Sequence, residues 1–136
     1  MKKRIFPGSY ESLAEIANFV QVEAKQTGLS FKEIFELETA VDEAVSNIIE
    51  HAYGGEGMGD ISCTCTRLED GIKITLEDTG IPFDPSSVPA PNLGFQIRNR
   101  KNHGLGFYMI RQLVDDVQFV YSGNKNILQM VKRISA

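Results

Sequence analysis

From Ile72 to Glu77 the chain reads Ile-Lys-Ile-Thr-Leu-Glu, alternating apolar and polar residues with the period of a half-buried strand. Ile72, Ile74 and Leu76 share one face, and the next residue in that phase is Asp78. Elsewhere the period is helical. Leu13, Ile16, Ala17, Val20 and Ala24 predict a first helix, with Ser9 as its cap and Gly28 at its end. Ser30 and Glu33 form a capping-box signature for a second helix, which is expected to reach Tyr53 and stop at Gly54-Gly55. On that helix Leu37, Val41, Ala44, Ile48 and Ala52 fall on one side.

The remaining pattern is hairpins, one helix and one long loop. Lys3 to Phe6 predicts an opening strand. Ile61 to Leu68 and Ile72 to Asp78 make a hairpin about Glu69-Asp70-Gly71. A third helix is expected over Leu105 to Val114, with Leu105, Met109 and Leu113 on one stripe. Val117 to Tyr121 and Ile127 to Ile134 close the chain as a second hairpin about Gly123-Asn124. Between Pro82 and Asn102 the periodicity vanishes, and four of the five prolines lie there. Loops of that length in a compact domain are usually lids or binding segments. The order predicts an α+β fold in two layers, sheet on one side and helices on the other.

Composition narrows the class. A chain of 136 residues with 42% hydrophobic content is expected to be one ordinary globular domain, 1–136. Its net charge of −4 argues against general binding to nucleic acid or anionic membranes. No apolar run approaches the roughly 18 residues of a membrane span. The basic start Met1-Lys2-Lys3-Arg4 is not followed by a long apolar segment, so no signal peptide is expected. Cys63 and Cys65 are one residue apart in a strand, a spacing that suits neither a zinc site nor a structural disulfide. Two reduced thiols in a cytoplasmic protein are the expectation.

Three groups of residues could carry chemistry. On the second helix Glu43 and Asn47 lie four apart, away from the apolar stripe and near Glu50. They are either a solvated outer face or a carboxylate and an amide oxygen facing a site. In the second case Asn47 could ligate Mg²⁺ and Glu43 could act as a general base. Asp78 is either an exposed strand end capping a turn through Thr79-Gly80, or a buried carboxylate that requires a donor. Gly80 would let the backbone turn sharply or approach a ligand. Gly104 and Gly106 flank the start of the third helix, where free N–H groups favour anions, and Arg98, Arg100 and Lys101 lie just upstream. An ordinary loop-to-helix junction explains the glycines equally well. Asp78-Thr79-Gly80 also matches the aspartic-protease triplet, but the helical first half of the chain opposes that reading. Neither a Walker-type phosphate loop nor a Rossmann glycine fingerprint is present.

Taken in order, these stretches resemble the GHKL ATPase superfamily, and most closely the anti-sigma-factor serine/threonine protein kinases. "DEAVSNIIEHAYGG" resembles the N box, "EDTGIPFDP" the first glycine box and "HGLGFYMI" the second, with nearly the whole chain covered. The resemblance implies the Bergerat ATP-binding fold, with a mixed, mostly antiparallel sheet, and an ATP lid over about 84–102. It implies ATP and Mg²⁺ as cofactors, Glu43 as general base toward a protein serine, and Asn47 as the Mg²⁺ ligand. Asp78 would accept from the adenine amine above Gly80, and Gly104, Leu105 and Gly106 would hold phosphate. The chain has Asn102-His103 where many relatives carry a basic residue or glycine, which leaves Lys101 and Arg100 as candidates for the γ-phosphate. His51 and His103 lie inside boxes, and no separate helix carries a phosphoacceptor histidine, so a complete histidine kinase is not expected.

The implied function is phosphorylation of a STAS-domain anti-anti-sigma factor, coupled to sequestration of a sigma factor or similar target. Family members often dimerise, so a homodimer is compatible with this reading. The alternative is a non-catalytic, nucleotide-gated sequestering module, and a third reading is a fragment of an ATPase that hydrolyses ATP to water. Retention of both Glu43 and Asn47 favours the kinase.

Overall fold

The computed structural model describes residues 1–85 and 106–135. Among the described residues five strands form one sheet: β1 (Lys2–Pro7), β2 (Asp60–Leu68), β3 (Gly71–Asp78), β4 (Asp116–Ser122) and β5 (Lys125–Arg133), in the spatial order β1-β2-β3-β5-β4. All four of these pairings are antiparallel, so the described sheet is antiparallel throughout where a mixed one was expected. The helices α1 (Ser12–Ala24), α2 (Phe31–Asn47) and α3 (Gly106–Leu113) complete the expected two-layer α+β architecture.

The core follows the alternation of the strands. Phe6, Ile61, Cys63, Cys65, Ile72, Ile74, Leu76, Leu128 and Met130 are buried, and so are Ile16, Val20 and Ala24 of α1. From α2 the stripe Leu37, Val41 and Ala44 joins them, continued beyond it by Ile48 and Ala52. Both cysteines are buried and free, as packed thiols would be. No helix among the described residues is long and apolar enough to cross a membrane.

Local signals set most boundaries. Ser30 Oγ accepts from Glu33 N–H at 3.1 Å and Glu33 Oε1 accepts from Ser30 N–H at 2.8 Å, so the capping box is built. The β4–β5 turn puts Gly123 and Asn124 at φ of 58° and 68°, the left-handed pair a two-residue hairpin requires. Two boundaries differ from expectation. Ser9 does not cap α1. Residues 9–12 form a turn, with Ser12 N–H donating to Ser9 O at 3.0 Å, and the helix starts at Ser12. The second helix does not run unbroken to Tyr53 either. After Asn47 it widens into a π-helix, Ile48–Ala52, in which Tyr53 N–H donates five residues back to Ile48 O at 2.9 Å. Such π turns occur often at functional sites.

Candidate functional site: a polar cleft at the end of the buried sheet face

Asp78 ends β3 on its inward phase and is only 3% exposed. In the ladder it lies level with Ile61 of β2 and Asn126 of β5. Its Oδ1 accepts from Gly80 N–H at 2.9 Å and from Asn126 Nδ2 at 2.8 Å. Both of these bonds end on Oδ1, which leaves Oδ2 for a donor from outside. Burial pushes the carboxyl pKa up, and the bonds from Asn126 and Gly80 pull it back in part. The exposed alternative for Asp78 is therefore not what the fold contains, although the turn-capping bond it invoked is present.

The turn after Asp78 is fixed at every residue. Thr79 N–H donates to Tyr53 Oη at 3.0 Å, and Tyr53 Oη in turn donates to Asp60 O at 2.5 Å. Ile81 N–H donates to Ala52 O at 2.9 Å. A Cβ at Gly80 would collide with the Ala52 carbonyl. Glycine is thus required at 80 because the turn packs directly on the last residue of the π-helix. The N-box helix and the first glycine box meet here backbone to backbone.

Asn47, the last residue of α2, is 5% exposed, so it does not belong to a solvated outer face. It shares a small cleft with Asp78, Asn126, Phe83, Pro85 and Phe119, of about 20 Å³. That volume holds about one water, so a purine does not fit without displacement of side chains that line it. Phe83 stacks on His51, with ring centroids 5.0 Å apart and planes 17° apart. Glu43 lies one helical turn before Asn47 and is half-buried.

Of the residues expected from sequence, Asn47 and Asp78 come together in the cleft, Gly80 fixes the turn beside it, and Glu43 sits along the same helix. Gly106 is the first residue of α3. Lys101, Gly104 and Leu105 lie outside the described residues, as do Arg98, Arg100 and all but 84–85 of the expected lid. Asn126 was not anticipated. It occupies the inward phase of Leu128 and Met130 two residues earlier, so continuing that alternation backward would have found it.

The model of the histidine kinase-like ATPase domain matches residues 6–132, which include every element that lines the cleft. The chain belongs to the histidine kinase-like ATPase family. Among curated members of this family, two proteins named serine-protein kinase RsbW, from two strains of Bacillus cereus, are 30% and 31% identical over 126 residues, spanning 90% of this chain and 78% of theirs. Two solved structures share the fold. One contains the RsbU and RsbW domains of a Mycobacterium tuberculosis protein, with a TM-score of 0.66 at 12% identity over 100% of this chain and 33% of that one. The other is the SiaB-SiaC complex of Pseudomonas aeruginosa, with a TM-score of 0.60 at 11% identity over 98% of this chain and 90% of the matched one.

Proposed function

We propose that this chain is an ATP-dependent protein serine/threonine kinase of a partner switch. It phosphorylates a STAS-domain anti-anti-sigma factor and sequesters a sigma factor or a similar regulatory target. The observation that carries this reading is the inward carboxylate Asp78, which shares a cleft with Asn47 and keeps Oδ2 without a donor from the described residues. An adenine amine is a donor of the right kind for a carboxylate oxygen. The names of the RsbW relatives support the kinase assignment, and the folds of the RsbW domain and of SiaB agree with it.

In this reading Asp78 binds the base, and Gly80 keeps the turn beside it in place. Asn47 offers an amide oxygen to Mg²⁺, a hard cation that keeps most of its waters and supplies charge neutralisation at the phosphates when bound. Gly104, Leu105 and Gly106 give backbone N–H groups to phosphate, with Lys101 as the nearby cation. Glu43, one turn from Asn47, takes the proton of the attacking serine hydroxyl. Residues 1–136 act as one domain with its lid over about 84–102, as a monomer or homodimer, in the cytoplasm where sigma factors work.

The test is incubation with Mg·ATP and candidate STAS domains encoded beside this protein's gene, followed by mass spectrometry for phosphoserine or phosphothreonine. The kinase reading expects a single modified hydroxyl residue, and a loss of about 10²–10⁴-fold in transfer rate for Glu43→Gln with ATP affinity retained. Transfer by Glu43→Gln at the wild-type rate would remove Glu43 as the base. Nucleotide binding without any phosphorylated partner would favour the non-catalytic sequestering module.

A further inference from the structure

Phe31 and Phe35 stand one turn apart at the start of α2 and are 86% and 64% exposed. The core stripe of α2 runs through Leu37, Val41 and Ala44, so neither phenylalanine belongs to it. With the buried Ile34 they line a groove of about 70 Å³, whose remaining walls are Gln21 and Lys25 from the α1 side and Glu38 of α2. Single exposed apolar side chains are ordinary on a folded surface. Two phenylalanines beside a groove floored by isoleucine make a contiguous patch, which is the mark of a contact surface.

The charges in the groove say what covers it. Glu38 Oε2 accepts from Gln21 Nε2 at 3.1 Å, which fixes one end. The chain turns back from α1 into α2 through a short connection, so Lys25, one turn beyond Gln21, lies toward the Phe31 end. Among the described residues neither Lys25 nor Glu38 forms an ion pair. One groove thus carries an unpaired cation at one end, an unpaired anion at the other and exposed aromatic rings along it. Its complement is the same groove turned end for end.

We propose that this face joins two copies of the chain across a two-fold axis near Phe35. Lys25 of each copy meets Glu38 of the other, and the phenylalanines of both fill the space between. A two-fold contact makes every pair twice, whereas a parallel arrangement would set like charges together. Asn47 lies 12 residues beyond Phe35, about 18 Å along the helix, so pairing here leaves both clefts open. This gives a surface to the homodimer admitted above and does not depend on the nucleotide reading.

The test is sedimentation of the full chain over a concentration series at low salt, with melting temperatures to confirm that each variant is folded. Wild type should be a dimer. Phe35→Gln, an exposed change to a good helix former, should weaken dimerisation by about tenfold or more, as for an aromatic anchor. Lys25→Glu and Glu38→Lys should each weaken it by about severalfold, and the double exchange K25E/E38K should restore it. A wild type that is monomeric at every concentration overturns the proposal and passes the patch to a helix of another protein. A dimer unmoved by Phe35→Gln, or a double exchange no better than either single one, overturns it too. ATP binding measured on the same samples judges the nucleotide reading separately, because none of these residues lines the cleft.

Discussion

Two carboxylates near opposite ends of α2 have opposite fates. Glu33, in the first turn, accepts from Ser30 N–H, from Ser135 N–H at 2.9 Å and from Ser135 Oγ at 2.6 Å. The Ser135 hydroxyl bond, followed by the backbone bonds from Ser30 and Ser135, lowers its pKa to about 2. Nearby Lys132 donates to Glu36 Oε1 at 3.0 Å and to Leu113 O at 2.6 Å. At the other end Asp78, 3% exposed, takes donors on one oxygen alone among the described residues, and burial raises its pKa. The first end is closed by partners from the fold, whereas at the second the described residues supply donors to one oxygen of Asp78. A group made only for folding has no reason to stay short of partners. The open oxygen, more than the burial, sets the candidate site apart.

The sharpest way to break this contrast is Asp78→Asn, which keeps an acceptor for Gly80 and Asn126 but faces the cleft with a neutral amide. ATP affinity should fall by about 10–100-fold, as expected for a hydrogen bond to a charged group turned into a donor clash. The melting temperature at neutral pH should hold or rise, because a folded pKa above the unfolded one means that ionised Asp78 disfavours the fold there. Calorimetric titration and thermal melting of the same sample check both. Unchanged affinity would remove Asp78 from the base site.

Lys132→Met is the reverse experiment at the completed end. It removes both bonds of a side chain 10% exposed and leaves Glu36, itself 27% exposed, with access to water. The loss should therefore be about 1–3 kcal/mol of stability, below that for a fully buried pair. ATP affinity should be unchanged once the folded fraction is accounted for. A variant with wild-type stability but weakened ATP binding would erase the distinction between the two ends.

Much of this division was legible in the residues. The Ser30/Glu33 box, the stripe Leu37, Val41, Ala44 and Ile48, and the inward phase of Asp78 are local or periodic signals, and the fold keeps each of them. What escaped depends on contacts between distant segments. The π-helix forms where Ala52 O receives Ile81 N–H and Gly80 packs against it, 28 residues on from Ala52, and nothing in Ile48-Ile49-Glu50-His51-Ala52 announces that meeting. Ser9 lost the cap because the chain turns there, with Tyr10 N–H held by Glu56 Oε1 at 2.8 Å. Asn126 was missed for a simpler reason. Starting the last strand at Ile127 instead of Lys125 left it in the turn, outside the stripe it belongs to.

The smallest expected effect separates the two carboxylates by pH. Glu33 has a folded pKa of about 2 against an ordinary 4.5, so its contribution is complete above the unfolded value and is lost as pH falls through the folded one. Asp78 has the opposite sign, and stability tied to it is present below its unfolded value and lost as pH rises through its raised one. Glu33→Gln retains an acceptor for Ser30 but presents an amide to Ser135. Its melting temperature should lie on the order of a few degrees below wild type at neutral pH, and the gap should close as pH is lowered toward 2. Asp78→Asn should differ from wild type most at neutral pH and in the other direction, converging with it in acid. If the Glu33→Gln gap instead widened in acid, Glu33 would not be the carboxylate that the Ser30 and Ser135 donors stabilise, and the partnering of the carboxylates would no longer distinguish the two ends of α2.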